Sequence, residues 1–270
     1  MLLLKLAYLG GAYHGFQFQP GVPTVEGELR KVLREIGAFA GPGVGVCCRT
    51  DRGVSARAQV VAFDEKDGAR ALPRAINARL PPDIWVWARA AAPPGFEPWK
   101  SVLHRLYRYW APVPEGFDAA RARQAAQLLP GTRDFSAFSP DKGETKSLLK
   151  VSVKQQGPLV LFEFRGKSFA REMVRRMAGA LLAVGSGRRG EDWVRRLLEE
   201  PRGEGAPPAP PEGLVLWDVG LRRVAWEADI YALRRAMEGL DATRAPLLQR
   251  AAVAGALADG LKREMARGGG

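Results

Sequence analysis

One order of hydrophobic patterning runs along this chain twice, and that repetition restricts it to a small set of architectures. Residues 2–8 alternate as a strand, with Leu2, Leu4, Leu6 and Tyr8 on one side. After Pro23, Thr24 is placed to cap a helix in which Val25, Leu29, Val32, Leu33 and Ile36 recur at helical spacing until Gly37. Residues 44–48 and 58–63 read as strands, Pro73 opens a short helix through Leu80, and Ile84-Trp85-Val86-Trp87 is a further strand. The same order then returns. Residues 100–111 form a long strand, Asp118 caps a helix to about Leu129, and 147–155 and 159–165 pair as a hairpin around Gly157-Pro158. A helix from about Phe169 to Val184, an extra helix at 191–199, a proline-rich loop at 201–212 and a strand at 214–219 complete it. Each half therefore has the βαββαβ pattern of a ferredoxin-like unit, which lays helices on one face of an antiparallel sheet. The expected fold is α+β, with two such halves (1–98 and 99–228) sharing one extended mixed sheet around a central cleft. Residues 229–270 read as a helical extension, through Tyr231, Leu233 and Met237 and then Leu247 to Leu261, packing on the body or on a second subunit.

Composition bears on what such a fold would meet. The net charge of +12 argues for a polyanionic partner, because Lys and Arg that neutralise phosphates release counterions. With His14 and His104 the sole histidines, and the two cysteines adjacent at Cys47 and Cys48, neither a histidine-based triad nor a tetrahedral zinc site is expected. Adjacent cysteines cannot form an ordinary structural disulfide, which fits a reducing cytosol. Neither a secretory signal nor an apolar run of spanning length is visible, so a cytoplasmic protein with no membrane partner is expected.

The segment Arg49-Thr50-Asp51-Arg52-Gly53-Val54-Ser55-Ala56-Arg57 places one carboxylate inside a basic turn. Gly53 allows tight backbone geometry there, and Arg49, Arg52 and Arg57 are expected to favour the charged form of Asp51. A carboxylate so held is a nucleophile or an ion-pair partner rather than a proton donor at neutral pH. A purely structural reading, in which Asp51 bridges to Arg52 or caps the turn, stands beside it.

This run, Arg-Thr-Asp-x-Gly-Val-x-Ala followed by Gln-Val, resembles the active-site motif of the tRNA pseudouridine synthase A family, with Asp51 at the position of the family's aspartate. Tyr8 to Gln17, Thr24 to Leu29, Arg105-Leu106-Tyr107-Arg108-Tyr109, Asp134 to Phe138, Met173-Val174-Arg175 and Gly213-Leu214-Val215-Leu216 resemble further family segments in the same order. Cys48, Ser55, Leu9 and Phe16 depart from it, standing where the family usually has glycine, histidine, aspartate and tryptophan. The resemblance implies the pseudouridine synthase fold with pseudo-twofold symmetry, a homodimer, and isomerisation of uridine in the anticodon stem-loop of tRNA, at tRNA positions 38 to 40. It implies no metal, redox step or nucleotide cofactor, and the chain offers no motif for any. Residue by residue, it implies that Asp51 attacks the nucleotide and that the uracil stacks on Tyr107. Arg175 would pair with Asp51, Arg49 would fill the space left by a flipped nucleotide, and Leu216 would pack the pocket wall.

The remaining basic residues are read as a field. Arg165, Lys167, Arg171 and Arg176 cluster around one strand-to-helix turn and Arg188-Arg189 follows, which predicts a basic cleft rim for phosphate contact. Asp134-Phe135-Ser136-Ala137-Phe138 reads either as an Asx-type turn supporting the site or as a plain connection with two core aromatics. Two rival functions remain at this level: a noncatalytic RNA-binding protein, and a different aspartate-dependent glycosyl-transfer enzyme that releases free uracil.

Overall fold

The computed structural model describes residues 1–39, 41–66, 71–143 and 145–268, so the last two residues of the expected helical extension lie outside it. The first half contains β1 (Leu2–Tyr8), α1 (Val25–Glu35), β2 (Gly45–Val46), β3 (Ser55–Phe63), α2 (Pro73–Asn77) and β4 (Ile84–Ala91). The second contains β5 (Val102–Pro112), α3 (Ala119–Gln127), β6 (Gly131–Asp134), β7 (Thr145–Gln156), β8 (Leu159–Gly166), α4 (Met173–Gly185), α5 (Glu191–Glu199) and β9 (Leu214–Leu221). A short β10 (Glu227–Ala228) leads into the long α6 (Ile230–Gly268).

Local chemistry sets several of these boundaries. Thr24 Oγ1 accepts from Gly27 N at 3.2 Å, and Asp118 Oδ1 accepts from Ala120 N at 2.7 Å, so α1 and α3 each start on a capping side chain. The β7–β8 register, with Gln156 opposite Leu159, closes through Gly157 at φ +58. The second short helix stops at Asn77, short of the expected Leu80, because the Asn77 amide bonds both Val86 N and Val86 O at 2.8 Å and so joins the sheet. Helix α4 starts at Met173 rather than at Phe169, because Glu172 sits in the left-handed region at φ 58 and breaks the helical run before it.

The strands form one sheet in the order β10-β4-β1-β3-β9-β5-β8-β7-β6. Each half contributes four strands in the same spatial order, last-first-third-second, as a ferredoxin-like unit should, and in the second half β6 adds a fifth beyond β7. All ladders are antiparallel except β3 with β9, which are parallel through Ser55↔Val215 and Ala56↔Leu216. The halves follow one another in the same spatial order, with matching strand directions. That junction positions the site. At one end of its edge β3 meets β9, and at the other end of the same edge it meets β2, through Gly45↔Ala62 and Val46↔Val61. The segment joining β2 to β3, which contains Asp51, therefore emerges where the two halves part.

Leu4, Leu6 and Tyr8 of β1, Tyr107 and Tyr109 of β5, and Phe162 and Phe164 of β8 share a single hydrophobic cluster with Leu29 and Leu33 of α1 and Met177 and Leu181 of α4. Full burial of each such side chain stabilises the fold by roughly 1.5–3 kcal/mol before entropy is counted. The opposite sheet face interleaves cations with tryptophans: Lys5 lies over Trp226, and Arg57 and Arg108 lie over Trp217. Helix α6 begins on the body, with Ala232 and Ala236 buried and Gly239 against Trp85, whereas Leu247, Leu248, Leu257 and Leu261 further along it are exposed. Among the described residues no helix is long and apolar enough to cross a membrane.

Candidate active site

The loop after β2 is fixed before Asp51 is reached. Gln59 donates to Cys48 O at 2.8 Å, Tyr8 and Thr50 share a hydroxyl bond at 2.8 Å, and Phe16 N donates to Thr50 O at 3.1 Å. Val54 N then donates back to Asp51 O at 3.2 Å, closing a turn whose third residue, Gly53, has φ +81. On the other side Gly10 lies so close that a Cβ there would stand 2.2 Å from Val54 O. Gly10 N also donates to Ser55 Oγ at 3.1 Å, which gives Ser55 a structural task.

Asp51 faces a cavity of about 610 Å³ built from both halves of the sheet and from the chain entering α4. Its Oδ2 lies 3.7 Å from a terminal nitrogen of Arg175, an ion-pair distance longer than a hydrogen bond; the Arg175 side chain is 14% exposed and that of Asp51 37%. Arg175 is aimed by its Nε, which donates to Ala209 O at 2.8 Å, and Glu172 Oε1 lies 3.9 Å from the same guanidinium. Burial is the largest influence on Asp51 and raises its pKa above the ordinary aspartate value. Arg175 pulls it down, Glu172 adds to the rise, and Arg171 pulls down again. The expectation that Arg49, Arg52 and Arg57 hold the charge is thus corrected. Arg49 and Arg52 line the cavity but are exposed, where solvent screens them. Arg57 lies on the other sheet face, donating to Trp217 O at 3.1 Å.

Tyr107 forms the floor. It is 7% exposed, its ring meets Phe169 edge-on at 5.1 Å, and it pairs with Leu216 across the β5–β9 ladder. Burial first, and Cys48 second, hold its phenol protonated well above the usual tyrosine range. Leu216 is wholly buried and does not line the cavity; Leu214 takes the wall position expected for it. Burial likewise pushes the Cys48 thiol up to about 11, so it is a neutral packing group beside the site.

Of the basic residues expected at the rim, Arg171 lines this cavity and the others lie away from it. Arg171 lines the cavity and pairs with Asp141 at 3.0 Å. Asp141 arrives there on a loop folded by Asp134, whose Oδ1 accepts from Ser136 N at 2.9 Å in an Asx turn. Arg165 is on the opposite face beside His104, and Arg176 is turned to Glu172 at 2.8 Å and Ala206 O at 2.6 Å. Lys167 is exposed and contributes its carbonyl to Arg105. Arg188 and Arg189 follow the far end of the 13-residue α4, about 20 Å along the helix from the cavity. Arg188 bonds Ser186 Oγ at 3.0 Å and Arg189 pairs with Glu204 at 3.2 Å.

Sequence reasoning missed Arg105, Trp99 and Glu172. Arg105 is 4% exposed and donates to Cys47 O at 2.7 Å, Cys48 Sγ at 3.1 Å and Lys167 O. It ties the Asp51 loop to β5 and to the approach to α4. A buried arginine is uncommon, and its place two residues before Tyr107 on the same strand face was the available signal. Glu172 carried no signal, since a left-handed glutamate is invisible to pattern. Taken together, a partly buried carboxylate beside a directed arginine, above an aromatic floor, can attack an electrophilic carbon in a flat substrate stacked on that floor.

The profile of a family described as tRNA pseudouridine synthase matches residues 125–220. A protein named tRNA pseudouridine synthase A from Methanothrix thermoacetophila is 43% identical over 267 residues, covering 97% of this chain and 97% of its own. Another of that name from Thermococcus kodakarensis is 40% identical over 263 residues, covering 94% of this chain and 97% of its own. One from Methanococcoides burtonii is 43% identical over 243 residues, covering 87% and 88%. Among solved structures, a Cbf5-Nop10-Gar1 complex aligns at 15% identity and a TM-score of 0.35, over 67% of this chain and 45% of that one.

Proposed function

The chain belongs to the tRNA pseudouridine synthase A family, isomerases that convert uridine to pseudouridine in tRNA, and from that premise we propose that it acts in the cytoplasm on the anticodon stem-loop, at tRNA positions 38 to 40, with Asp51 as the attacking group. The observation that carries the assignment of Asp51 is its position, facing the cavity at the junction of the halves and 3.7 Å from Arg175. In the reaction the N1–C1′ bond breaks, the uracil turns, C5 bonds to C1′, and the C5 hydrogen leaves as a proton while N1 regains one. Attack by the Asp51 carboxylate, whether at C1′ or on the uracil ring, requires its ionised form. Arg175 orients and stabilises that form, Tyr107 holds the detached uracil on its ring, and Leu216 backs Tyr107 from within the core. Arg49, exposed beside Asp51, occupies the space of the extruded nucleotide, while Arg171 and Arg52 meet phosphates at the rim. We read 1–98 and 99–228 as the two catalytic halves and 229–270 as a separate extension. Tritium release from tRNA labelled at uridine C5, with no added cofactor, tests the chemistry; intact tRNA with release of free uracil would place the chain among base-exchanging enzymes.

Two expected results follow from this site. Tyr107→Phe keeps the stacking ring and holds tRNA affinity near wild type. Tyr107→Ala weakens binding by about 5- to 150-fold, the range of one base–aromatic stack, and equal losses in a binding titration contradict the stacking role. Because the charge of +12 must be met by phosphates, the affinity falls steeply between low and physiological salt, and a flat dependence contradicts phosphate contact.

We also propose that the protein is a homodimer in which a second copy covers the exposed apolar residues of α6. Leu247, Leu248, Leu257 and Leu261 are each more than half exposed, and such a run on a single helix is uncommon in a monomer. Sedimentation is expected to give twice the chain mass, and replacing Leu257 and Leu261 by Glu to halve it. A monomeric wild type contradicts this.

A further inference from the structure

Seven tryptophans occur in the chain; six are buried or half-buried, and Trp99 is exposed, at 53%. It also lines the cavity that holds Asp51 and Tyr107. A single exposed aromatic ring is ordinary on a protein surface, but here the ring is at the cavity and is held in place rather than loose. The Arg105 guanidinium carbon lies 4.5 Å from its ring centroid, and Arg105 is itself locked by Cys47 O, Cys48 Sγ and Lys167 O. The turn carrying Trp99 is closed twice, by Ser101 N to Glu97 O at 2.8 Å and by Glu97 N to Ser101 Oγ at 3.0 Å. It is wedged on β2, since a Cβ on Gly45 would stand 2.5 Å from Pro98. One face of the indole is therefore set on a cation, and the exposed part of the ring lines the cavity, as does exposed Arg49.

We propose that Trp99 is a stacking platform for the unpaired nucleobase next to the target uridine. A fixed, flat, apolar ring is complementary to a nucleobase face, and stacking on it needs no sequence-specific hydrogen bond. The cation behind the indole keeps the ring in position at little entropic cost on binding. Tyr107 then takes the extruded uracil while Trp99 takes its neighbour, so that two adjacent bases are held apart. This rests on the synthase reading for the identity of the target, and on the geometry alone for the platform.

The test uses the full chain and a stem-loop RNA with 2-aminopurine on either side of the target uridine. Wild type is expected to quench the 2-aminopurine emission at one flank. Trp99→Ala loses that quench and raises Kd by about 5- to 150-fold, with the kinetic loss falling mainly on KM. Trp99→Phe retains most affinity, whereas Trp99→Leu, apolar but without a π face, behaves as Trp99→Ala does. Unchanged quenching and affinity in Trp99→Ala, or wild-type affinity in Trp99→Leu, overturns the proposal. The Phe-against-Leu comparison decides the matter even if Trp99→Ala melts early. Wild-type turnover of the unlabelled RNA reports separately on the synthase reading, since failed turnover with intact quenching removes that reading and leaves the platform.

Discussion

Asp51→Asn is expected to bind tRNA within about twofold of wild type and to lose turnover by on the order of 10⁴-fold or more. The asparagine keeps the shape and the neutral hydrogen-bonding capacity of the side chain but not the nucleophile, and no second carboxylate in the cavity is placed to replace it. Glu172 is committed to Arg176 at 2.8 Å and lies 3.9 Å from Arg175, and Asp141, which also lines the cavity, is paired with Arg171 at 3.0 Å. The same substitution carries a stability signature. Burial raises the folded pKa of Asp51 above its unfolded value. The ionised carboxylate therefore opposes folding above the folded pKa, and the opposition disappears below the unfolded one. Asp51→Asn removes it, so the variant melts no earlier than wild type at neutral pH, and any gain shrinks as the pH falls through the Asp51 pKa. A variant that loses activity and melts markedly earlier would point to a structural aspartate instead.

Arg175→Met is expected to lower kcat by roughly 10²–10³-fold and to move the acidic limb of the pH–rate profile to higher pH. The direction follows from the balance at Asp51. Burial raises the carboxyl pKa, Arg175 is the largest influence lowering it, and Glu172 is left to raise it further once the guanidinium has gone. At a given low pH, less of the enzyme then carries the ionised carboxylate. Arg175→Lys restores the charge but not the Nε bond to Ala209 O, so it recovers part of the pH shift and less of the rate. An acidic limb that stays at its wild-type pH in Arg175→Met removes Arg175 from the account of Asp51.

The architecture was legible because its signals are local and periodic. Thr24 and Asp118 cap the helices they were expected to cap, and Gly157 turns the expected hairpin. Strand β6 was not legible, because Gly131-Thr132-Arg133-Asp134 has no apolar alternation and is a strand only through its pairing with β7. The start of α4 was misplaced because Glu172 is left-handed, and a glutamate at that position carries no sequence signal for such a conformation. At the site, motif order brought Asp51, Tyr107 and Arg175 to attention, and they do line one cavity. Charge spacing did less well. Of the arginines close to Asp51 in sequence, Arg49 and Arg52 are exposed and Arg57 is on the other sheet face, while the two that act on its charge, Arg175 and Arg171, come from the chain 120 or more residues later. Arg188 and Arg189 do not line this cavity, because a helix carries its far end about 1.5 Å further away with every residue. Trp99 and Arg105 were overlooked because a tryptophan in a turn and an arginine in a strand look ordinary until the fold stacks them at the cavity mouth.

The most direct measurement is to incubate the purified protein, without added cofactor, with an unmodified tRNA transcript containing uridine at positions 38 to 40, and to map pseudouridine nucleotide by nucleotide, with Asp51→Ala in parallel. Pseudouridine in the anticodon stem-loop from the wild type, and none from the variant, is the predicted result. Equal product from both proteins, or tight tRNA binding with product from neither, contradicts the claim that Asp51 carries the isomerisation.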